Sequence, residues 1–518
     1  MLLNELNWNN LIAFPILGLL QLFPLLVAGF LFYRRNCKNN LKLAIIFSIV
    51  EIFFSLLLYV SYQIEPASQS SLTFQFAESF NIIGAFDYHA AVDGISITFI
   101  FLTTILSLLI LIYSKSIPLE KPELLPALVF AVEACLISQF CTLNLLWFLL
   151  ASTAEILLVS YLVWFWATSP EIDLAISKYL QFMGFSLSLF FLAIMLLGWN
   201  YADHNAGLWS FDLFDLYQSE LPFTLQSVIF FLMFYGLAIR IPIFPLHGWL
   251  PTVAEHGTVV LAPVFLLGLK VGVYALVRFV FPLFPEVITY WHKFVVAFAV
   301  IGIFYAALLA LMQVNMRRLL AFAVISHSGI LIIGLFTLNP MAFKGSIMLS
   351  INFGLATSGL LIMTGFIFWR TRTMLMSKLG NLFDLLPFVG FCFLLAGLSI
   401  VGMPGTPGFD AVHLVLEASI QHFGALVTIA AAIANVLAAG FLLWSFQRAF
   451  LSKLSLNSYQ MERYSKNLQP EKGIEKTMAI AIICLLLLAG FYSSPWLELI
   501  DQPLNSLGEL FEHTKNTH

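Results

Sequence analysis

Four ionisable side chains lie in stretches of the sequence that are otherwise strongly apolar. Glu155 occurs in LLASTAEILLVSYLV and His327 in AFAVISHSGILIIGLF. Arg240 lies near the end of one apolar run, and Lys270 lies in the middle of the next. A charge at the centre of a bilayer costs roughly 2.5–3.5 kcal/mol, so such groups should pair or serve a function. Carboxylates, imidazoles and buried amines exchange protons, whereas arginine keeps its proton. The glutamate, lysine and histidine therefore predict a proton path, beside which the arginine would remain charged.

Further titratable groups accompany these four residues. Glu133 lies near the middle of the apolar run that precedes Glu155, and His247 follows Pro245. Three more titratable residues follow the stretch GMPGTPGF, namely Asp410, His413 and Glu417. A membrane carboxyl must pair with a cation or hold a proton, and each state suits a relay. The alternative, which the sequence leaves open, is a set of static ion pairs and hydrogen bonds that clamp helices together.

Prolines and glycines interrupt two of the apolar runs. Pro242, Pro245 and Pro251 stand between the two cations, and the stretch at 402–413 reads GMPGTPGFDAVH. A proline removes a backbone hydrogen bond that lipid cannot replace, so broken helices are expected at both places. Broken helices beside titratable groups are typical of transporters that are built from internal repeats.

The composition is that of a polytopic membrane protein. Of 518 residues, 60% are hydrophobic and only 10% are charged, with a mean hydropathy of +0.94, whereas soluble proteins have about 25% charged residues. The net charge of −4 argues against a nucleic-acid partner. None of the five cysteines has a metal-ligand spacing, so we expect no disulfide framework and no metal site.

Runs of about 20 apolar residues predict an all-α protein with about fourteen transmembrane helices. The predicted spans are 11–33, 41–62, 91–113, 124–141, 143–167, 176–199, 222–243, 257–281, 288–312, 317–337, 342–370, 387–415, 423–449 and 475–494. Basic residues such as Arg34 and Arg317 follow odd-numbered spans, whereas acids such as Glu286 occupy the alternate loops. The positive-inside rule therefore places both termini outside, with 64–73 and 200–221 as external loops.

Four regions follow from this pattern of spans. Residues 1–123 hold helices 1–3, 124–281 a first repeat of helices 4–8, and 288–450 a second repeat of helices 9–13. Residues 451–518 form a cytoplasmic loop, helix 14 and an external tail. Broken spans seven and twelve then occupy the same position in the two repeats, which favours repeated transporter architecture.

Several stretches resemble the antiporter-like membrane subunits of respiratory complex I, most closely the M or subunit-4 type. These are AVDGISITFIFLTTILSLLILIYS, IPIFPLHGWLP, LKVGVYALVRFVFPLFP, NMRRLLAFAVISHSGILIIGLF, MPGTPGF and VLAAGFLLWSFQRAFL. The resemblance extends from about residue 91 to 451. It implies fourteen helices, two inverted five-helix repeats with broken helices 7 and 12, and proton translocation without a cofactor in this chain. FMN, iron–sulfur clusters and quinone would belong to partner subunits.

The resemblance also assigns roles to single residues. Glu155 matches the family's helix-five glutamate, Lys270 its central helix-eight lysine and His327 its helix-ten histidine. Arg240 stands where the family usually has a lysine, which bears on whether this site can release a proton. Phe353 stands where the family has a histidine in helix eleven.

The second half departs further from the family. Aligning MPGTPGF places Val412 where the M-type subunits have a glutamate in helix twelve. Asp410, His413 and Glu417 are the possible substitutes, each one turn away or less. The resemblance therefore implies an intact first half and a rewired exit half.

The leading hypothesis is a proton-translocating subunit of a complex I-type NADH:quinone oxidoreductase in a bacterial inner membrane. Protons would enter from the cytoplasm, load Lys270, pass His327 and leave near Asp410, and the Glu155–Arg240 pair would control the affinity of Lys270. One alternative is a transporter subunit that uses a proton gradient to drive cation or inorganic-carbon uptake, with a carbonic-anhydrase-like partner. Another is a membrane scaffold whose charges are fixed pairs.

Overall fold

The computed structural model describes residues 2–5, 15–37, 39–62, 71–83, 86–167, 169–257, 270–453 and 469–516. The described chain is almost entirely helical, with one small sheet near its start. The first residues of predicted spans 11–33 and 257–281, and most of the predicted loop at 64–73, lie outside the described residues.

The elements are numbered along the chain, and three strands belong to the sheet: β1 (Leu2–Glu5), β2 (Ser71–Ile83) and β3 (Phe86–Val92). The first nine helices are α1 (Ile16–Tyr33), α2 (Asn40–Ser61), α3 (Gly94–Ser116), α4 (Leu125–Cys141), α5 (Leu145–Phe165), α6 (Ile172–His204), α7 (Leu213–Gln218), α8 (Phe223–Arg240) and α9 (Trp249–His256). The next helix, α10, is described over 270–283 and contains a π-helical turn at Leu276–Val280. The remaining helices are α11 (Pro285–Leu311), α12 (Met316–Leu335), α13 (Pro340–Thr371), α14 (Pro387–Val401), α15 (Pro407–Phe423), α16 (Ala425–Phe446), α17 (Gly473–Phe491) and α18 (Ser494–Asn516).

The predicted membrane fold is confirmed. Eleven described helices are long and apolar enough to cross a membrane, and the shorter apolar helices α4 and α14 occupy two further predicted spans. The remaining predicted span, 257–281, is described only from 270 onward, where it forms α10. These segments occupy the fourteen positions that hydropathy predicts.

Several helices begin at a side chain that accepts the free backbone N–H groups of the first turn. Asp93 accepts from Ser96 N at 2.9 Å at the start of α3. Asparagines do the same at the starts of three other helices, namely Asn144 for α5, Asn315 for α12 and Asn339 for α13. Such caps matter more in a membrane, where water cannot satisfy a buried helix end.

The first predicted break separates α8 from α9. The chain leaves the helix after Arg240, turns through 241–248 and resumes at Trp249. The indole Nε1 of Trp249 donates to the carbonyl of Ile239 at 2.9 Å. This bond satisfies an acceptor at the end of α8 and holds the short helix α9 against it.

The second predicted break separates α14 from α15. Gly402 and Gly405 adopt φ angles of +90° and +86°, in the left-handed region that glycine enters without a Cβ clash. Asn352 of α13 donates to the Ser399 carbonyl at 2.9 Å, and Asn435 of α16 donates to the Val401 carbonyl at 2.7 Å. Side-chain amides thus replace the hydrogen bonds that the broken helix loses.

The stretch before α3 differs from the prediction. The third predicted span begins at 91, but strands β2 and β3 pair antiparallel up to Val92, and β1 pairs parallel with β2. Neither strand shows the long apolar run that marks a span, so hydropathy did not reveal the sheet. Glu78 of β2 accepts from Leu17 N at 2.9 Å and Gly18 N at 2.8 Å, which caps α1.

Helix α18 crosses the face of the bundle that carries the sheet. It packs against β2, α3, α11 and α13, and Lys344 of α13 forms a 2.6 Å ion pair with Asp501. Gly94 lies directly beneath this helix, where a Cβ would stand 1.8 Å from the Leu499 carbonyl oxygen. The amino-terminal strand and the carboxy-terminal helix therefore lie on the same face.

We expect Gly94→Ala to displace α18. The added methyl would meet backbone rather than a flexible side chain, and overpacking of this kind costs typically about 1–3 kcal/mol. The measurement is the melting temperature of the purified protein together with proteolysis of the tail. Gly29→Ala is the control, since no atom lies within 4 Å of its added Cβ. Equal melting and cleavage in the two variants would contradict the proposed packing of α18.

Candidate functional site

Glu155 and Arg240 form a buried ion pair between α5 and the end of α8. Arg240 Nη1 also donates to Ser152 Oγ at 2.9 Å, and Ser152 donates to Gln139 Oε1 at 2.7 Å. Gln139 Nε2 then donates to Glu155 Oε2 at 3.4 Å, which closes a ring of four side chains. Ser152 and Glu155 share one face of α5 because they are three residues apart.

Two of the predicted relay residues lie at the middle of their helices, and a third lies at a helix break at the same depth. Glu155 is the eleventh of the 21 residues of α5, and His327 is the twelfth of the 20 residues of α12. Arg240 lies at the break, where its contact with Glu155 fixes it at the same depth. All three side chains are buried, so a bilayer around this bundle would leave them inside protein rather than in lipid.

Lys270 is buried on α10, which packs closely against α8 beside Arg240. At Gly272, a Cβ would lie only 2.5 Å from Ile241 Cγ1, so the two helices touch at this level. The Lys270 Nζ atom lies 5.4 Å from the centre of the Phe353 ring, a distance suited to a cation–π contact. A π-helical turn follows at Leu276–Val280, and turns of this kind are frequent at functional sites.

Phe353 also contacts His327. The two ring centres are 5.2 Å apart and the planes meet edge to face at 84°. The Phe353 ring therefore contacts both Lys270 and His327. A phenyl ring has no group that carries a proton, so a path through this contact requires water around the ring.

His327 presents one nitrogen that can receive a proton. Its Nδ1 atom donates to the Ala323 carbonyl at 2.9 Å, which leaves Nε2 with the lone pair in the neutral ring. Among the described residues, no group completes a hydrogen bond to Nε2, and Asn435 is its polar neighbour. Asn435 Oδ1 likewise lacks a donor, while the amide nitrogen of Asn435 donates to the Val401 carbonyl. A proton or a bridging water between the two acceptors would satisfy both.

Asn435 is thus a site residue that was not predicted from the sequence. It lies in AAAIANVLAAG, where a single amide among alanines carries no charge to attract notice. Its one signal was a polar side chain in an otherwise apolar run. It places His327 next to the second helix break.

The three predicted exit residues do not join this cluster. The side chains of His413 and Glu417 are 73% and 45% exposed, and Asp410 is half-buried on the outward half of the same helix. The inward face of α15 carries Val415 and Val412. Val412 is the residue predicted to stand at the position of the helix-twelve glutamate. Val415 packs against α12 and α13, so Asp410, His413 and Glu417 point away from His327.

His247 and Glu133 also lie apart from the ring of four hydrogen-bonded side chains that contains Glu155. His247 is buried among the rings of Phe244, Tyr305 and Phe322, with centre-to-centre distances of 5.3–6.4 Å. Glu133 is buried on α4 and faces α2 and α3 rather than α5. Both residues were predicted to belong to the relay, but their contacts place them at its margins.

A second buried ion pair lies toward the end of the bundle that carries the sheet. Arg278 Nη2 contacts Asp93 Oδ1 at 2.5 Å and Ser96 Oγ at 3.0 Å, and Arg278 Nε contacts Tyr274 Oη at 3.0 Å. Tyr274 donates to the Phe140 carbonyl at 2.8 Å. Sequence reasoning missed this pair because its members are 185 residues apart.

The part of the chain that the structure describes contains no cluster of potential metal ligands. No three His, Cys, Asp or Glu side chains there come together as a metal site would require. The chemical capacity of the site is therefore that of its titratable groups: one carboxylate, one amine and one imidazole, with a guanidinium that stays charged.

Curated relatives match almost the whole chain. Chain 4 of NADH-ubiquinone oxidoreductase from Chondrus crispus is 29% identical over 98% of this chain and 100% of the relative. Subunit M of NADH-quinone oxidoreductase from Rickettsia prowazekii (strain Madrid E) is 28% identical over 86% of this chain and 90% of the relative.

Solved structures and a family match agree on the fold. A chain of respiratory complex I from Thermus thermophilus has a TM-score of 0.83 at 22% identity, covering 96% of this chain and 99% of that chain. A chain of the Mrp complex from Dietzia sp. DQ12-45-1b has the same TM-score at 16% identity, covering 97% and 99%. The family described as "NADH:quinone oxidoreductase/Mrp antiporter, TM" matches residues 142–438, more than half of the chain. The chain therefore belongs to the NADH:quinone oxidoreductase/Mrp antiporter family of membrane subunits.

Proposed function

We propose that this chain is the proton-translocating M-type (chain 4) subunit of a complex I-type NADH:quinone oxidoreductase. The observation that carries the proposal is the position of Lys270, on a helix that touches α8 beside Arg240 and against a ring that touches His327. The named relatives at 28–29% identity, with near-complete coverage, support the choice of complex.

Lys270 is the proton carrier of this proposal. A buried amine can lose its charge, whereas Arg240 keeps its proton throughout. The Glu155–Arg240 pair acts on Lys270 through charge: while the pair is closed, its net charge is near zero. When the pair opens, Arg240 is left as a nearby cation, which disfavours the protonated form of Lys270. The proton would then be driven toward His327.

The exit half runs from His327 to Asn435 and the second helix break. The unpartnered acceptors His327 Nε2 and Asn435 Oδ1 support this direction. Asp410, His413 and Glu417 would take part only once a neighbouring membrane subunit covers the outward face of α15, because lipid would not solvate them. Such a neighbour would extend the path beyond this chain.

The redox chemistry belongs elsewhere in the assembly. FMN, iron–sulfur clusters and quinone would be carried by partner subunits, including hydrophilic ones, while this chain would contribute the membrane path. We also propose that the chain lies in a bacterial inner membrane with both termini outside. The positions of the basic loops support this orientation, and β1 and α18 lie on the same face of the bundle.

Lys270→Ala is expected to reduce NADH-driven proton uptake to background in inverted membrane vesicles that contain the assembled complex. The reason is the loss of the one amine on the path that can alternate between charged and neutral forms. Uptake is measured by quenching of a pH-sensitive dye, and quinone reduction is followed in the same vesicles. Unchanged uptake in this variant would contradict the proposed path.

A second substitution separates a relay from a fixed charge. Lys270→Arg keeps the positive charge but does not release its proton, so it should also lose proton uptake. A scaffold that needs only a cation would tolerate this variant. Lys115→Ala is the matched control, because that lysine is exposed at the end of α3.

The alternative of gradient-driven transport has one observation in its favour, the equal TM-score of the Mrp complex. The two functions differ in what copurifies with the chain and in what drives transport. Hydrophilic redox subunits and NADH-dependent uptake support the complex I proposal. Cation efflux that follows an imposed proton gradient, without NADH, would replace it.

A further inference from the structure

Two buried carboxyl groups lie outside the relay, in the amino-terminal helices. Glu51 is the twelfth of 22 residues in α2, and Glu133 is the ninth of 17 in α4, so both lie at mid-depth. Their exposed fractions are 0% and 1%. The sequence places them 82 positions apart, but α2 and α4 pack against each other and against α3, and the Glu51 carboxyl is a charged neighbour of Glu133.

These two side chains lack the partners that a buried carboxylate requires. In the described structure, none of their four carboxyl oxygens has a hydrogen-bond partner, and the same is true of Ser48 Oγ, three residues before Glu51 on the same helix. The neighbours of Glu133 are the Glu51 carboxyl, which acts through its charge, and the Ser107 hydroxyl of α3, which is the potential hydrogen-bond donor to Glu133. The site therefore contains acids and hydroxyls.

The charged and titratable groups of the surrounding elements lie farther away. On α2 and α3, Lys42 is nine residues from Glu51 and Lys115 eight residues from Ser107, or about 12–14 Å along a helix. The others are Arg34 after α1, Cys135 and Cys141 on α4, Glu155 on α5 in its own pair with Arg240, and Asp87, Tyr88 and His89 on β3. Among these described groups, none supplies a cation to the two carboxyls.

Two negative charges buried beside each other without a cation would repel each other and lose their hydration. Carboxyls that share one proton avoid the second charge and gain a hydrogen bond between them. We propose that Glu51 and Glu133 form a buried carboxyl pair that binds a shared proton, as a site separate from the Glu155–Lys270–His327 path.

This pair extends the row of mid-depth titratable groups to the amino-terminal helices. Helix α4 carries Glu133 on one side and, six residues later, Gln139, which contacts Glu155. A change in the proton occupancy of the pair thus alters the charge less than two helical turns from Gln139, which contacts the relay. The inference goes beyond the proposed function, since binding of the proton is measured without transport.

The test is labelling with dicyclohexylcarbodiimide, a lipid-soluble reagent that reacts with protonated carboxyls in apolar surroundings. Vesicles containing the whole complex are labelled near neutral pH, and the modified residues of this chain are located by peptide mass spectrometry. We expect label on Glu133 or Glu51. The exposed Glu120 and the paired Glu155 should remain unlabelled, and Glu120→Gln is the matched control variant.

Single substitutions test whether the proton is shared. In Glu51→Gln the negative neighbour is gone, so labelling of Glu133 should be lost at a lower pH than in the parent. An isolated carboxyl would keep the parent's pH profile, and that result would overturn the pair. Protection of both residues from labelling by sodium ions at constant pH would also overturn the shared proton. That result would indicate that the two carboxyls bind a monovalent cation instead. Each single variant retains one carboxyl, and its level in the membrane is checked by immunoblot.

Discussion

Glu155→Gln is expected to abolish proton transport and to destabilise the protein. The amide removes the charge that balances Arg240, and leaving one partner of a buried pair uncompensated typically costs about 3–5 kcal/mol. Gln139 and Ser152 provide hydrogen bonds but no negative charge, so they cannot replace Glu155. The measurements are proton uptake in vesicles and the melting temperature of the purified complex, each compared with the parent.

A double variant distinguishes a relay from a clamp. Glu155→Gln with Arg240→Gln removes both charges, so the stability lost in the single variant should largely return. Proton transport should stay absent, because Lys270 would no longer sense a pair that opens and closes. Transport that returns together with stability would show that the pair acts only as a clamp. Glu171→Gln, at a side chain that is 66% exposed, is the control.

Local sequence signals were sufficient for the membrane helices and both breaks. The prolines around 242–251 and the glycines at 402 and 405 impose backbone geometry through their own chemistry, so their effect could be read without knowing the fold. The pairing of Glu155 with Arg240 was also accessible, because a lone charge in an apolar run must find a partner. In these cases the constraint acts within one helix or on one charge.

The remaining features depend on contacts between distant parts of the chain. Arg278 lies in VGVYALVRF without a nearby acid, and its partner Asp93 is identified only when α3 packs against α10. Asn435 gains significance from its position beside His327 and the Val401 carbonyl. The orientation of the predicted exit residues also depends on the fold: Asp410 follows the break in sequence, yet the helix turns it outward.

Asp93→Asn is expected to cause the largest loss of stability outside the relay. Asp93 is fully buried, and its loss would leave Arg278 charged among Tyr274, Ser96 and the ring of Phe74. Breaking a buried pair of this kind costs about 3–5 kcal/mol. We expect a lower melting temperature and less assembled protein in the membrane, both measured against the parent.

The proton transport of Asp93→Asn provides the contrast with Glu155→Gln. The Asp93–Arg278 pair fixes α10 two turns beyond Lys270, so it holds the carrier in place without lying on the path. Transport per assembled molecule should therefore remain close to the parent value. The apolar double variant Asp93→Leu with Arg278→Met should recover most of the lost stability, as buried pairs often do when both charges are replaced. Normal assembly with no proton transport in Asp93→Asn would instead assign this pair to the path.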